Sequence, residues 1–190
     1  MSMKTLFGCM LGLAVTACLS FAQNAELTGW KSFTSSTGFS VKYPGSWVRK
    51  GNSKDRLMVL SSKGGAEAIV IKNGQAMISV IEEKSDVNSS LSQLIDRYNQ
   101  DVDVLSRRNI RGENAGSRGC RDLNETISKE PAVPPEDVPG PVPYLINTEY
   151  FCEVKGHIYA MVLRNFEGDP KQALYQQIAL QVAKSLRVDN

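Results

Sequence analysis

Six of the chain's eight prolines fall between Lys129 and Pro143, at Pro131, Pro134, Pro135, Pro139, Pro141 and Pro143. Each ring fixes φ and removes a backbone donor, so the stretch 129–143 can be neither helix nor central strand. It is predicted to be an extended, exposed loop. On its two sides, Arg118 to Ser128 and Tyr144 to Val154 have the composition of strands, and each carries one cysteine, Cys120 and Cys152. An antiparallel hairpin centred on Glu136 sets Cys120 opposite Cys152, so a disulfide between them is expected. Closing a loop of this length contributes about 3 to 4 kcal/mol in the chain-entropy picture. With no Cys-x-x-Cys spacing and no activating helix N-terminus, the pair reads as structural rather than redox-active.

The rest of the chain reads mostly as strands. Phe39, Val41 and Tyr43 alternate with Ser40 and Lys42, which places three large apolar side chains on one sheet face. Pro44-Gly45 closes that run as a turn that brings Trp47 back against the sheet. Leu57 to Ser61 and Ala68 to Lys72 are further short strands, and Asn73-Gly74 is a hairpin signal with Ala76 to Glu82 as the returning strand. A long helix is expected next, because Leu91, Leu94, Ile95, Tyr98, Val102 and Leu105 recur at three and four, with Ser90 and Gln93 at capping-box spacing. After the Pro-rich hairpin, Lys155-Gly156 turns the chain into a strand from His157 to Phe166. Asp169 as N-cap and Pro170 at the first position then open a final helix whose stripe is Leu174, Ile178, Val182 and Leu186. This order predicts an α+β single domain with a central antiparallel sheet covered by helices.

The N-terminus adds a compartment. One lysine, Lys4, precedes an apolar run from Thr5 to Ala17 that is too short to span a bilayer, and Ser20-Phe21-Ala22 supplies small residues for cleavage between Ala22 and Gln23. The expected organisation is an export signal over 1–22, a short linker over 23–29, and an α+β domain over 30–189. Removing 22 of 190 residues leaves 168, with 21 basic and 20 acidic side chains. Near-neutrality gives no electrostatic reason to expect nucleic acid as a partner. Val15-Thr16-Ala17-Cys18 also fits a lipobox, so Cys18 is an alternative site of lipidation. The protein is then periplasmic or secreted, or lipid-anchored to the membrane if Cys18 is modified.

The run Gly38-Phe39-Ser40-Val41-Lys42-Tyr43-Pro44-Gly45-Ser46-Trp47 resembles the PsbP-like family. So do the helix from Leu91 to Val102, the paired strands around Tyr150-Phe151 and Ile158-Tyr159, and the closing helix from Leu174 to Leu186. The resemblance implies a central antiparallel sheet sandwiched by helices. It also implies a role in binding or assembly, as in photosystem II extrinsic subunits and a nuclear import factor, with no catalytic motif attached to the fold. Function follows from such a likeness only by analogy.

Chemistry-bearing motifs are sparse. His157 is the chain's one histidine, so any hydrolase-type mechanism has to use it. There is no Gly-x-Ser-x-Gly elbow and no phosphate-binding Gly-rich loop before a helix. Asp101, Asp103, Glu82 and Glu83 lack the alternation of a calcium loop, and one histidine with two pairing cysteines does not make a zinc site. No catalytic residue, metal ligand or cofactor is assigned. The one local charge bias is Arg107, Arg108, Arg111, Arg118 and Arg121. It reads either as a guanidinium patch for an anion or acidic partner, or as a sheet edge guarded by charge and neutralised by Asp101, Asp103 and Asp122. The expected function is that of an exported, non-catalytic module binding a partner protein or envelope component. The alternatives are a small-ligand carrier with a pocket between sheet and helix, and an enzyme using His157.

Overall fold

A computed structural model describes residues 29–35, 37–50, 68–73, 76–84, 90–111, 118–133 and 139–189. The expected export signal, the expected cleavage site at Ala22 and Gln23, the alternative lipidation site Cys18, most of the expected linker and the expected strand at Leu57 to Ser61 lie outside the described residues.

The order of elements is β1 (Lys31–Thr34), β2 (Phe39–Tyr43), β3 (Val48–Lys50), β4 (Ala68–Asn73), β5 (Ala76–Lys84), α1 (Leu91–Tyr98), β6 (Asp103–Arg111), β7 (Asp122–Pro131), β8 (Tyr144–Val154), β9 (His157–Phe166), α2 (Gln172–Lys184) and β10 (Arg187–Val188). They form two antiparallel sheets. The larger has the order β3-β4-β5-β9-β8-β7-β6, and the smaller is β1-β2-β10.

The strand at Phe39–Tyr43 therefore belongs to a separate small sheet and not to the central one. Both of its edges are occupied, by β1 and by the last strand of the chain, while Phe39, Val41 and Tyr43 face inward. Gly38 makes that closure feasible. Its φ is +93°, its carbonyl accepts from the Asp189 N–H at 2.8 Å, and a Cβ there would sit 2.9 Å from the Asp189 carbonyl oxygen.

Period-2 alternation divides the core into two layers. On one face of the large sheet, Ile78, Val80, Tyr150, Cys152, Tyr159, Met161 and Leu163 pack with Tyr175, Ile178, Ala179, Val182 and Ala183 of α2 and with the small sheet. Trp47 is buried there and meets Tyr175 edge-on at 5.8 Å. On the other face, Ile81, Phe151, Ile158, Ala160 and Val162 pack around Leu94 of α1. Strand β9 thus alternates between two interiors, which explains why it is apolar at almost every position.

The expected long helix stops at Tyr98. Its capping box forms as expected, with the Gln93 N–H donating to Ser90 Oγ at 3.3 Å and the Ser90 N–H donating to Gln93 Oε1 at 2.8 Å. Asn99 ends it, and residues 103–111 form strand β6 instead of a third and fourth helical turn. At 1.5 Å per residue, eight residues cover only about 12 Å. Helical cover of this face is therefore confined to the middle strands, and β6 is left exposed along most of its length.

The β7–β8 hairpin forms with a different register from the one expected. Pairs run from Asn124↔Phe151 to Pro131↔Tyr144, so the centre lies past Glu136, between residues 137 and 138. The neck is closed by the Ala132 N–H donating to the Pro143 carbonyl at 2.8 Å. Cys120 then precedes β7 altogether. It folds over the end of the ladder to bond Cys152, with the two Cα atoms 5.7 Å apart and both residues buried. The cysteines pair, but not as cross-strand partners.

Three smaller turns complete the comparison. Asn73 pairs with Ala76, so the β4–β5 connection is residues 74 and 75, one place later than Asn73-Gly74. Lys155 and Gly156 have φ of +53° and +75°, as a two-residue β8–β9 hairpin demands. Asp169 accepts the Lys171 N–H on Oδ1 at 2.8 Å and heads a turn before α2, whose first helical residue is Gln172 rather than Pro170.

Candidate functional site

A groove of about 330 Å³ runs between α1 and the β6–β7 edge of the large sheet. It exists because α1 is short and β6 is a strand. The register sets Asn109 beside Asn124 and Arg107 beside Thr126, so these four share one sheet face. Helix α1 contributes Ser92, Ile95 and Asp96, with Ser92 and Asp96 one turn apart. Arg108 and Glu125 border it along the strands, with their side chains paired on the opposite face of the sheet.

The structure divides the five arginines. Arg107 Nη1 lies 3.4 Å from Asp96 Oδ1. Arg108 makes a two-pronged contact with Glu125, Nε to Oε1 and Nη2 to Oε2, the latter at 2.9 Å. Glu125 is only 2% exposed, and its hydrogen bond, followed by its charge, raises the Arg108 pKa above the ordinary guanidinium value. Burial, followed by the charge of Glu125, pushes the Tyr150 phenol up. Arg118 Nη1 is 3.6 Å from Asp189. Arg111 pairs in register with Asp122, and Arg121 is exposed just before β7. Of the five, Arg107 faces the groove, and Arg108 faces the opposite side of the sheet, where Glu125 and Tyr150 lie. The carboxylate partners of these two arginines are Asp96 and Glu125, where the sequence pointed to Asp101, Asp103 and Asp122.

His157 is not isolated. Its Nδ1 lies 2.9 Å from Oε1 of Glu82, which is buried in β5. The contact is one of charge when the imidazole is protonated, since Nδ1 is not aligned for a hydrogen bond. Tyr159 donates to the same Oε1 at 3.1 Å, and the Thr37 hydroxyl donates to Oε2. Burial, followed by the charge of Glu82, pushes the Tyr159 phenol up. Glu82 thus ties the β1–β2 turn of the small sheet to β5 and β9 of the large one. The sequence could not give this, because Glu82, Thr37 and Tyr159 are far apart along the chain.

One further carboxyl stands out on the α1 side of the sheet. Glu149 in β8 is 5% exposed, and burial pushes it up to about 7, with Arg164 opposing and Glu130 adding to the shift. Among the described residues its Oε2 has no hydrogen-bond partner, and neither does Oγ of the fully buried Ser128, its diagonal neighbour across β7. The sequence offered only an ordinary glutamate in a strand.

Among the described residues, no group of three or more His, Cys, Asp or Glu side chains is placed to hold a metal ion. No helix among them is long and apolar enough to cross a membrane. The Pro-rich loop presents exposed Pro139, Gly140 and Pro141, and its residues 134–138 lie outside the described set.

No protein-family model matches the chain, and no curated protein matches it. Solved structures do. The fold is similar to cyanobacterial PsbP (CyanoP) from Synechocystis sp. PCC 6803, with a TM-score of 0.48 and 12% identity over 84% of this chain and 92% of that one. It is similar to LpqN, involved in cell envelope biogenesis of Mycobacterium tuberculosis, with a TM-score of 0.44 and 10% identity over 89% and 96%. A Bacteroides thetaiotaomicron protein matches with a TM-score of 0.48 and 13% identity over 84% of this chain, which spans about half, 48%, of that one. The likeness is one of fold and leaves binding and activity unspecified.

Proposed function

We propose that this protein is an exported binding module of the cell envelope and that its recognition surface is the groove between α1 and the β6–β7 edge. The observation that carries the reading is the groove itself, about 330 Å³ and lined by polar side chains from three elements around one apolar residue, Ile95. That volume is at the lower end of small-ligand sites, which span about 300 to 1,000 Å³. Export rests on the N-terminal signal pattern, and the Cys120–Cys152 bond fits an oxidising compartment. Binding is favoured over turnover because the guanidinium at the groove, that of Arg107, is held by Asp96, which makes it an oriented donor.

The small-ligand alternative gains support from the same observation, since the groove lies between helix and sheet. The enzyme alternative depends on His157, which is engaged with Glu82 on β5 rather than lining the groove. The test is an amide chemical-shift titration of the isotope-labelled protein with solubilised envelope material. Shifts clustering at Asn109, Asn124 and Thr126, and lost in Asn109→Trp at an exposed position of the lining, are the expected result. Shifts confined to the Pro-rich loop or to His157 would refute the assignment of the surface.

A further inference from the structure

We infer that the ligand of this groove is a neutral saccharide segment, an inference that rests on the groove being the recognition surface. Two features of the lining lead there. The first is charge balance. On the groove's face the Arg107 guanidinium is joined to the Asp96 carboxylate of α1, whereas Arg108 and Glu125 pair on the opposite face of the sheet, beside Tyr150. An anion would have to draw Arg107 away from Asp96, and a cation would have to do the reverse. A neutral molecule can accept from the guanidinium and donate to the carboxylate with that pair intact.

The second feature is the arrangement of donors and acceptors. Asn109 and Asn124 stand side by side on adjacent strands, and Arg107 and Thr126 form the next pair along the same face. Each carboxamide offers both a donor and an acceptor, and so does the Ser92 hydroxyl, while Thr126 is buried at the floor. A sugar hydroxyl is likewise donor and acceptor at once. Neighbouring hydroxyls on a ring therefore match a row of neighbouring carboxamides, while Ile95 on the helix side offers a surface for the ring's C–H face.

An extended peptide added to the β6 edge is the competing occupant, and the edge is built against it. The register shifts between Val104 and Ser106, which interrupts the ladder, and the strand carries Arg107, Arg108 and Arg111. Bulges and charges of this kind discourage strand addition. The bulged residue, Leu105, is 53% exposed and projects where an added strand would need a regular row of partners.

The experiment uses the protein produced through its own export signal and labelled for amide detection. It is titrated separately with maltose, lactose, chitobiose, inorganic phosphate and an acidic hexapeptide. Saturable shifts at Asn109, Asn124 and Thr126 with at least one saccharide are expected at up to ~50 mM, the range of weak single-site binding. Raising the ionic strength should leave that binding unchanged, because no counterion is displaced. Asn124→Ala should weaken it at least tenfold, with an unchanged urea midpoint showing that the fold is retained. Tighter binding of phosphate than of any saccharide, saturation by the hexapeptide, or no saturable shift with the three sugars overturns the ligand class. If envelope material still shifts the groove amides in that last case, the groove remains the recognition surface and only the saccharide assignment falls. If it does not, both fall.

Discussion

Replacing Glu149 with glutamine should change how stability depends on pH. The carboxyl lies under α1 with Oε2 unpartnered among the described residues, and burial takes it from 4.5 to about 7. The native state therefore binds this proton where the unfolded chain has released it. By linkage, stability falls as pH rises wherever the native state binds more protons. The favourable contribution is complete below 4.5 and is lost as pH climbs through about 7. At 1.36 kcal/mol per pH unit, the loss is on the order of 3 kcal/mol. Glutamine keeps the shape of the protonated acid and cannot ionise. Urea denaturation of wild type and Glu149→Gln at several pH values from 4 to 8, roughly bracketing this window, should give curves that diverge by about 3 kcal/mol in favour of the variant on going from acid to alkali. Arg164 opposes the shift, so Arg164→Met should steepen the wild-type decline. Parallel curves for wild type and Glu149→Gln at all pH values, with constant m, would refute the assignment of this titration to Glu149.

Three other perturbations test separate parts of the structure. Glu82→Ala should destabilise by several kcal/mol, because it strands the buried Tyr159 hydroxyl and releases Thr37, whereas His157→Ala, at a partly exposed side chain, should cost about 1 kcal/mol or less; thermal unfolding of both variants gives the order, and the reverse order would count against Glu82 as the tie between sheets. Reducing the Cys120–Cys152 bond should lower stability by about 3 to 4 kcal/mol in non-reducing against reducing urea titrations, and an unchanged midpoint would mean that the reduced unfolded chain is already constrained. Ser128→Ala removes a fully buried hydroxyl that lacks a partner among the described residues, so it should be neutral or stabilising by up to about 1 kcal/mol, and a loss above that would reveal a bound water or partner at Oγ.

What could be read in advance from the chain was whatever depended on neighbours in sequence. The Ser90–Gln93 capping box, the Lys155-Gly156 turn, the inward set Phe39, Val41 and Tyr43 and the α2 stripe are all local patterns, and all are present. Pairing of Cys120 with Cys152 was also legible, because only two cysteines follow residue 22, where the expected export signal ends. Register was not. The hairpin centre was placed from the apparent limits of two strands, and an error of three residues at the end of β7, Ser128 against Pro131, moved Cys120 from the loop into the ladder. The small sheet was hidden for a different reason, since its third strand, β10, is two residues long and comes from the far end of the chain.

The candidate site was illegible because a bulge concealed the strand that builds it. In β6, Val104 pairs with Ser128 on the α1 face, whereas Ile110 pairs with Leu123 on the opposite face, although 104 and 110 have the same parity. The extra residue, Leu105, reverses the alternation halfway along, so no single period of two runs through Asp103–Arg111. Meanwhile Tyr98, Val102 and Leu105 happen to fall at helical spacing after a real helix. Both errors point the same way and extend α1 over the place where β6 lies. Had the helix continued to Leu105, Arg107 and Arg108 would have followed its end as an unpaired basic cluster, and an anion site would have been the natural inference. With β6 in the sheet, the register brings Arg108 onto buried Glu125, and the end of α1 brings Asp96 to Arg107. The residues that looked most like an electrostatic lure are thereby separated, Arg107 balanced by Asp96 at the groove and Arg108 held by Glu125 on the opposite face, and on the proposed reading hydrogen-bond geometry selects what binds.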